Sequence, residues 1–202
     1  MKGLAKKTSC GAARGMNRVT GAFTLRAAVL VAVIAMQLSC TRANSLPDVP
    51  SLELRSSSFS GGLIAKECSC DGRNTSPELS WDIAPERTQS FALTATDKDS
   101  LFGFSFVHWV IYNIPADKRE LPAGVANDEQ LPDGTRQGHN DYDKFGYVGP
   151  CPPGHSAHRY AFDLYALDTK LELSSGASKK QLLKAIQGHV LAKGGVTGRY
   201  RH

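Results

Sequence analysis

Apolar and polar residues alternate along several short stretches of the chain, and turn-forming residues separate these stretches. The alternation runs over residues 52–58, 78–81, 90–96, 104–113 and 159–167. A period of two places successive side chains on opposite faces of a strand. Short strands divided by turn-rich segments are typical of an all-β sandwich or barrel, so the pattern predicts a mainly β fold.

A helical pattern occurs near the C-terminal end. Four apolar residues recur at helical spacing over residues 178–192. Ser178 can cap the first turn of this helix, and Gly194 can end it. We therefore predict one helix here, packed by its apolar stripe.

Polar residues continue the apolar faces of three predicted strands. Asp97 is in phase with the apolar residues of the strand before it, and His108 continues the face of the next strand. His158 and Tyr160 lie in phase with the apolar face of their own strand. Unsatisfied polar groups in a core would cost about 1–3 kcal/mol each. We therefore expect these four side chains to meet at one small pocket, while Trp109 faces the core on the side opposite His108.

Two imidazoles, a phenol and a carboxylate form a donor-rich set that suits a small anion. The carboxylate can hold one imidazole protonated or fix its tautomer, and the other groups can donate to anion oxygens. Gly149 allows close backbone approach, while Pro150, Pro152 and Pro153 supply a rigid rim. Charge-assisted hydrogen bonds contribute about 1.5–3 kcal/mol each. After association costs, a bare anion would bind with a dissociation constant on the order of millimolar.

Two other chemistries compete with anion binding. Cys151, His155 and His158 have a spacing that could indicate zinc, but prolines intervene and the chain has no second C-x-x-C cluster. Ser156 and Cys151 are nucleophiles by residue type alone, and a G-x-S-x-G elbow is absent. A hydrolase of ester or phosphoester bonds is the alternative function. The sequence predicts no metal and no cofactor.

The first forty residues differ in composition from the rest of the chain. They contain six basic residues and no acidic residue, and the apolar run of residues 27–39 follows the basic residues. The run has the length of a secretory signal and is too short for a membrane span. We predict a signal peptide over residues 1–39, with translation starting at Met1 or Met16.

Cys40 follows a small residue, as the modified cysteine of a bacterial lipoprotein does, although Gln37 stands where Leu is usual. Lipidation at Cys40 and plain cleavage after Ala43 are both open. Residues 40–52 then form a polar tether, and residues 53–202 form the domain. Disulfides persist in exported proteins.

If Cys40 is lipidated, Cys68, Cys70 and Cys151 remain in the exported chain. Three cysteines predict one disulfide and one spare thiol. The residues alone leave the pairing open.

Removal of the leader also removes the basic charge. The whole chain has 24 Lys and Arg against 19 Asp and Glu, a net charge of +5, whereas 18 basic and 19 acidic residues after position 40 leave −1. No Lys/Arg cluster with interleaved aromatic residues remains in that part. Nucleic-acid binding is therefore not predicted.

Four motifs resemble the phosphatidylethanolamine-binding protein family, also called the Raf kinase inhibitor-like family, and specifically its bacterial branch. They are CDGRNTSPELSW (residues 70–81), FVHWVIYNIPA (106–116), GHNDYDKFGYVGPCPPGHSAHRYAFDLYALD (138–168) and GHVLAKGGVTGRY (188–200). Within the third motif, GPCPPGHSAHRY is highly specific. Together the motifs extend the resemblance over nearly all of residues 52–202.

The resemblance implies an antiparallel two-sheet β-sandwich of Greek-key type with a C-terminal helix and a small surface pocket for phosphate-like anions. By motif position, the pocket residues are Asp97, His108, Gly149, Pro150, His158 and Tyr160. Where the family usually reads D-P-D-A-P, this chain reads DKDSL over residues 97–101. The pocket carboxylate is kept, but both prolines of that wall are absent.

Family members act mostly as binding modules, so the resemblance implies a non-catalytic protein that binds a small anion or phospholipid headgroup, and the leader adds export to this prediction. A protein partner is a further expected ligand, and contact with a membrane is expected only through a lipid anchor. The alternatives are the hydrolase and an inhibitor of a secreted peptidase or of a kinase. The resemblance also places Cys70 and Cys151 in loops near the pocket. It thereby implies a Cys70–Cys151 disulfide, with Cys68–Cys151 as the alternative.

Overall fold

The structure is a computed structural model that describes residues 49–100 and 104–202. The predicted signal peptide, Cys40 and residues 41–48 of the tether lie outside the described residues. Over the described ranges, no helix combines the length and the apolar character that crossing a bilayer would require.

Strands dominate the described residues, which confirms the mainly β prediction. The strands are β1 (Ser51–Leu52), β2 (Leu54–Arg55), β3 (Phe59–Ser60), β4 (Leu63–Ile64), β5 (Leu79–Trp81), β6 (Ser90–Asp97), β7 (Phe106–Pro115), β8 (Glu120–Leu121), β9 (Arg136–Gln137), β10 (His158–Leu167) and β11 (Val190–Tyr200). A 3₁₀ helix spans Lys66–Cys68, and the helix α1 spans Lys179–Ala185.

The strands form a large sheet and a small one. The large sheet has the order β3-β4-β11-β10-β6-β7-β9, with β1 also paired to β11, and the small sheet has the order β2-β5-β8. The large sheet is mixed, because β1 and β4 each run parallel to β11. The prediction of wholly antiparallel sheets is therefore wrong at these two pairs, and the Greek-key detail of the sandwich stays a prediction.

Both faces of the large sheet are covered, which explains why β6 is buried along its whole length. On one face the small sheet supplies apolar side chains to the main core, and the Trp81 ring lies 5.2 Å from that of Phe91. On the other face α1 packs Leu182 and Ile186 against the sheet. Two covered faces leave the ends of the strands as the places where a polar site can reach solvent.

The helix is shorter than the predicted range of residues 178–192, and it is followed by a long strand. Ser178 caps α1 through a capping box with Gln181, as the residue type indicated. The chain turns at Gly188, where φ is +82°, and residues 190–200 then form β11. The prediction that the helix reaches residue 192 and ends at Gly194 is therefore wrong, although a helix near the C-terminal end is present.

Gly194, which suggested a helix end, is instead required by strand packing, and so is Gly198. A Cβ on Gly194 would lie 2.4 Å from the Leu52 carbonyl oxygen, and one on Gly198 would lie 2.4 Å from Ile64 Cγ1. Glycine at these positions lets β1 and β4 approach β11 closely. The last two residues of the predicted tether thus belong to the sheet as β1.

Candidate functional site

The predicted site residues meet at one end of the three central strands. The register pairs Tyr160 of β10 with Asp97 of β6, and Asp97 with Phe106 of β7. His158 begins β10 next to this row. Because β6 ends where β10 and β7 begin, residues from three distant parts of the sequence share one edge of the sheet.

A β-bulge in β7 turns His108 toward this row. The ladder pairs Ala95 with Trp109 and Thr96 with Val107, so His108 has no partner residue on β6. A bulge of this kind places an extra side chain on one face and is common beside functional sites. The predicted burial of Trp109 is confirmed, but its assignment to the face opposite His108 is wrong, because the bulge changes the phase between them.

His158 and Asp97 form a buried pair. His158 Nδ1 lies 2.7 Å from Asp97 Oδ2, and the two residues are 7% and 5% exposed. Since a carboxylate oxygen accepts, Nδ1 carries the proton of this bond. The pair fixes the ring orientation and leaves Nε2 as the nitrogen that can meet a ligand.

His108 is held by the loop before Gly149. Its Nδ1 donates to the carbonyl oxygen of Val148 at 2.7 Å, and the Val148 amide returns a bond to the His108 carbonyl at 3.0 Å. Burial lowers the pKa of His108 below its usual value, an effect that the Val148 carbonyl and the Asp97 charge only partly oppose. The neutral ring therefore presents an unprotonated Nε2, which accepts a hydrogen bond.

The Tyr160 hydroxyl is enclosed and has no hydrogen-bond partner within the described ranges. Its ring lies edge to face with His108, with 5.2 Å between centroids. Burial, and then the negative charge of Asp97, raise the pKa of Tyr160 well above its usual value. The hydroxyl is therefore a protonated donor at any ordinary pH. An unpaired buried hydroxyl costs about 1–3 kcal/mol, so its persistence calls for an explanation.

Gly149 and Pro150 form a wall beside His108. The Gly149 amide donates to Asn74 Oδ1 at 2.6 Å, and the Cys70 amide donates to the Pro150 carbonyl at 3.0 Å. A Cβ on Gly149 would lie 2.2 Å from the Cys68 carbonyl oxygen, so glycine is required here. The sequence motif marked Gly149 and Pro150 but gave no role to Asn74, whose segment reads simply as a turn.

A disulfide joins Cys70 and Cys151, whose Cα atoms are 5.5 Å apart. This is the pairing that the resemblance implied, and Cys68 is a buried free thiol rather than its alternative partner. The bond ties the loop that carries Gly149 and Pro150 to the loop after the 3₁₀ helix. Because Cys151 is part of this bond, it has no thiolate that could bind zinc together with His155 and His158 in this state.

Asp99 holds the segment that begins at Asp97, in which the two prolines expected from the resemblance are absent. The Asp99 amide donates to Asp97 Oδ1 at 2.8 Å, and the Asp99 carboxylate accepts from the Arg159 amide at 2.8 Å. The Arg159 guanidinium binds the same carboxylate with contacts of 2.6 and 2.9 Å, and its hydrogen bonds lower the pKa of Asp99 to about 2. Hydrogen bonds thus replace ring rigidity, which residue types and spacing did not predict.

Aromatic residues border the site, and one of them is exposed. Tyr142 is 43% exposed and its ring contacts those of Phe106 and His108. The enclosed side-chain atoms without a partner in the described part are Trp81 Nε1, Thr94 Oγ1, Thr135 Oγ1 and Tyr160 OH. The Nε2 atoms of His108 and His158 make no hydrogen bond there and are not in this enclosed set. They are therefore the ring atoms available to a ligand.

A separate cavity lies at the other end of β7. It has a volume of about 440 Å³ and its lining includes Asn113, Arg136, Lys170 and Leu173. None of the six predicted ligand-binding residues contributes to it. The predicted site and this cavity are therefore different features.

Comparisons with known proteins agree with the resemblance. The phosphatidylethanolamine-binding protein family profile matches residues 55–201. A UPF0098 protein of Methanothermobacter thermautotrophicus is 49% identical over 140 residues, which are 69% of this chain and 91% of that protein.

Two crystal structures of bacterial relatives have similar folds. A phosphatidylethanolamine-binding protein homologue from Chlamydia trachomatis aligns with a TM-score of 0.68 and 35% identity, over 75% of this chain and 98% of that one. Escherichia coli YbcL, described as a new member of the mammalian family, aligns with a TM-score of 0.68 and 33% identity, over 75% and 99%. The bacterial relatives fit the predicted branch. The chain therefore belongs to the phosphatidylethanolamine-binding protein family.

Proposed function

We propose that the site formed by Asp97, His108, His158 and Tyr160 reversibly binds the phosphate group of a small anion or a phospholipid headgroup. The observation that carries this proposal is the enclosed hydroxyl of Tyr160, which has no partner, on a residue that pairs with Asp97 and whose ring contacts His108. The hydroxyl is enclosed in the free protein, so a ligand oxygen would satisfy this donor after a small shift of the side chains that cover it. Such a ligand would offset the cost of leaving the hydroxyl unpaired in the free protein.

The polarity of the site favours a phosphate that carries one proton. The protonated Tyr160 hydroxyl can donate a hydrogen bond to a ligand oxygen. The neutral His108 ring can accept a hydrogen bond at Nε2. His158 presents Nε2 to a ligand, because its Nδ1 is engaged by Asp97. A monohydrogen phosphate or a protonated phosphomonoester offers both acceptor oxygens and one donor, and so matches all three groups.

The function proposed is binding without turnover. The four site groups include no Ser or Cys that could serve as a nucleophile, and His158 Nδ1 is already engaged by Asp97. The family profile supports a binding protein and supplies no reaction. Turnover of a generic phosphate ester that disappears in His158→Ala would overturn this part of the proposal.

Titration with inorganic phosphate and with phosphoethanolamine, followed by NMR at the imidazole protons, tests the proposal. We expect His108 and His158 to shift with a common dissociation constant on the order of millimolar. His189, which pairs with Asp168 at 2.9 Å on the surface, is an internal control that should not move with them. Silence at both site rings, or equal shifts at His189, would overturn the proposal.

We also propose that the protein is exported and anchored by a lipid at Cys40. The basic leader and apolar run of residues 1–39 support export, and the Cys70–Cys151 disulfide suits an oxidising compartment. Mass spectrometry of the mature N-terminus separates the possibilities. A diacylated Cys40 supports the anchor, a terminus after Ala43 refutes it, and an intact leader in cytosolic protein refutes export.

A further inference from the structure

A cluster of metal-ligating groups lies on the surface, outside the proposed phosphate site. The sulfurs of Cys70 and Cys151 and a ring nitrogen of His202 all lie within 4.8 Å of one another, and all three residues are exposed. In the present state the two sulfurs are bonded to each other as a disulfide. The three residues come from positions far apart in the sequence, so the fold itself has assembled them.

The geometry around His202 resembles that of a tetrahedral metal site. Cys70 Sγ and His202 Nδ1 are 3.9 Å apart. Two such ligands on one zinc ion are separated by about 3.5 Å, since Zn–S is about 2.3 Å and Zn–N about 2.0 Å. The Asp71 carboxylate lies beside them, with Oδ1 2.8 Å from His202 Nδ1, and can supply the fourth ligand.

Asp71 and the two loops are already held in place without a metal. The Tyr200 hydroxyl donates to Asp71 Oδ2, which leaves Oδ1 for His202 or for an ion. The Cys70 amide is bonded to the Pro150 carbonyl, next to Cys151. These bonds do not involve the disulfide, so they would keep the two cysteines close after the S–S bond is broken.

We propose that reduction of the Cys70–Cys151 disulfide creates a metal site for zinc or another thiolate-preferring ion, with Cys70, Cys151, His202 and Asp71 as ligands. A dithiol reductant supplies two electrons and two protons. The S–S bond breaks, the reductant becomes a disulfide, and each protein sulfur becomes a thiol. Metal binding then displaces those two protons, because the thiolate is the ligand. The oxidised protein has no thiolate here and does not form the site.

The test is zinc and cobalt binding to untagged full-length protein, prepared oxidised and prepared reduced by a phosphine, which becomes the phosphine oxide. We expect the reduced protein to bind one extra zinc ion per chain relative to the oxidised protein. Cobalt should give the visible bands of a tetrahedral thiolate site in the reduced protein alone. The oxidised protein is a control that needs no mutation.

Matched variants assign the ligands. The double variant Cys70→Ser/Cys151→Ser keeps Cys10, Cys40 and Cys68, and should lose the extra ion. His202→Ala should weaken zinc binding at least tenfold. His189→Ala, a change at a similarly exposed histidine paired with Asp168, should leave zinc binding unchanged.

Two results would overturn the proposal. In the first, the reduced protein binds no more zinc than the oxidised protein or the double variant. In the second, the extra zinc survives in His202→Ala with unchanged affinity and cobalt spectrum, which would make it a plain dithiol adduct. Neither result bears on phosphate binding, which uses other residues.

Discussion

His158 Nδ1 lies 2.7 Å from Asp97 Oδ2, and both side chains are more than nine-tenths buried. The same kind of pair occurs on the surface, where His189 Nδ1 lies 2.9 Å from Asp168 Oδ1. The geometry is similar, but burial makes the first pair costly to leave incomplete, whereas the exposed pair contributes little. One chain thus holds both the site pair and a matched control for it.

Asp97→Asn should weaken phosphate binding roughly tenfold to a hundredfold, as expected when a charge-assisted bond worth about 1.5–3 kcal/mol is lost. The amide keeps the shape of the side chain but removes the negative charge that faces His158 Nδ1. The phosphate titration described above measures the effect. Asp168→Asn removes the charge from the exposed pair and should leave phosphate affinity unchanged. Equal losses in both variants would contradict a specific role for Asp97.

Tyr160→Phe should have opposite effects on stability and on binding. The free protein should be as stable as before or more stable by about 1 kcal/mol, because an unpaired buried hydroxyl is removed. Phosphate affinity should fall severalfold, because the donor to the ligand is gone. Denaturant unfolding and phosphate titration measure the two effects. Tyr165→Phe, a change on the opposite face of β10, is the control and should leave phosphate affinity unchanged. A Tyr160→Phe variant with normal phosphate affinity would refute the role of Tyr160 as a donor.

Sulfate binding should weaken as the pH rises from about 5 to about 8. In the free protein the pKa of His108 is lowered by burial, and a bound anion should raise it by favouring the imidazolium. Between these two pKa values the complex holds more protons than the free protein, so affinity falls with rising pH. Sulfate does not titrate in this range and therefore reports on the protein. His108→Gln should lose this part of the pH dependence, and an unchanged profile would contradict the prediction.

Gly149→Ala should destabilise the protein by about 1–3 kcal/mol, because the new methyl group would lie 2.2 Å from the Cys68 carbonyl and force a backbone shift. The shift should also weaken phosphate binding, since the wall is attached to His108 through Val148. Gly195→Ala is the control, because a Cβ there has its nearest contact at 3.4 Å. Denaturant unfolding compares the stabilities of the two variants. Equal stabilities would show that the loop accepts the methyl group without cost and would contradict the prediction.

Asp99 should contribute stability that is lost in acid. Its pKa is lowered from 3.8 to about 2, so the folded state favours the charged carboxylate, and the contribution is complete above about pH 4 and disappears as the pH falls toward 2. When the pH is lowered from 5 to 3, the Asp99→Asn variant should therefore lose less stability than the native protein. Denaturant unfolding at both values measures this. Asp117→Asn, at an exposed position, should behave like the native protein.

The central strands could be predicted because alternation reports directly on burial. Residues 90–96, 104–113 and 159–167 match β6, β7 and β10 to within two residues, and the in-phase polar residues led to the four groups that meet at the site. The phase argument held for Asp97 and Tyr160, which pair directly in the ladder. The same argument placed His108 on the correct face of β7 but Trp109 on the wrong one. A β-bulge shifts the alternation by one residue, and the sequence pattern does not show where this happens.

Other features depend on contacts between distant residues and could not be predicted. Asn74 holds Gly149 from 75 positions away, and Asp99 binds Arg159 from 60 positions away. Gly194 was predicted to end the helix, yet the lack of a Cβ at Gly194 and at Gly198 admits Leu52 and Ile64 from the other end of the domain. A local pattern reports the propensity of a segment, whereas these roles are set by the neighbour that the fold brings to it.

The position of β11 also has a consequence for synthesis. It pairs with β10, β4 and β1, so the earliest strands of the described chain acquire their neighbour from residues 190–200. While those residues are still inside the ribosomal tunnel, β1 and the open edge of β10 have nothing to pair with. A nascent chain stalled before residue 190 should consequently remain protease-sensitive, and the emergence of residues 190–200 should complete the sheet in one cooperative step.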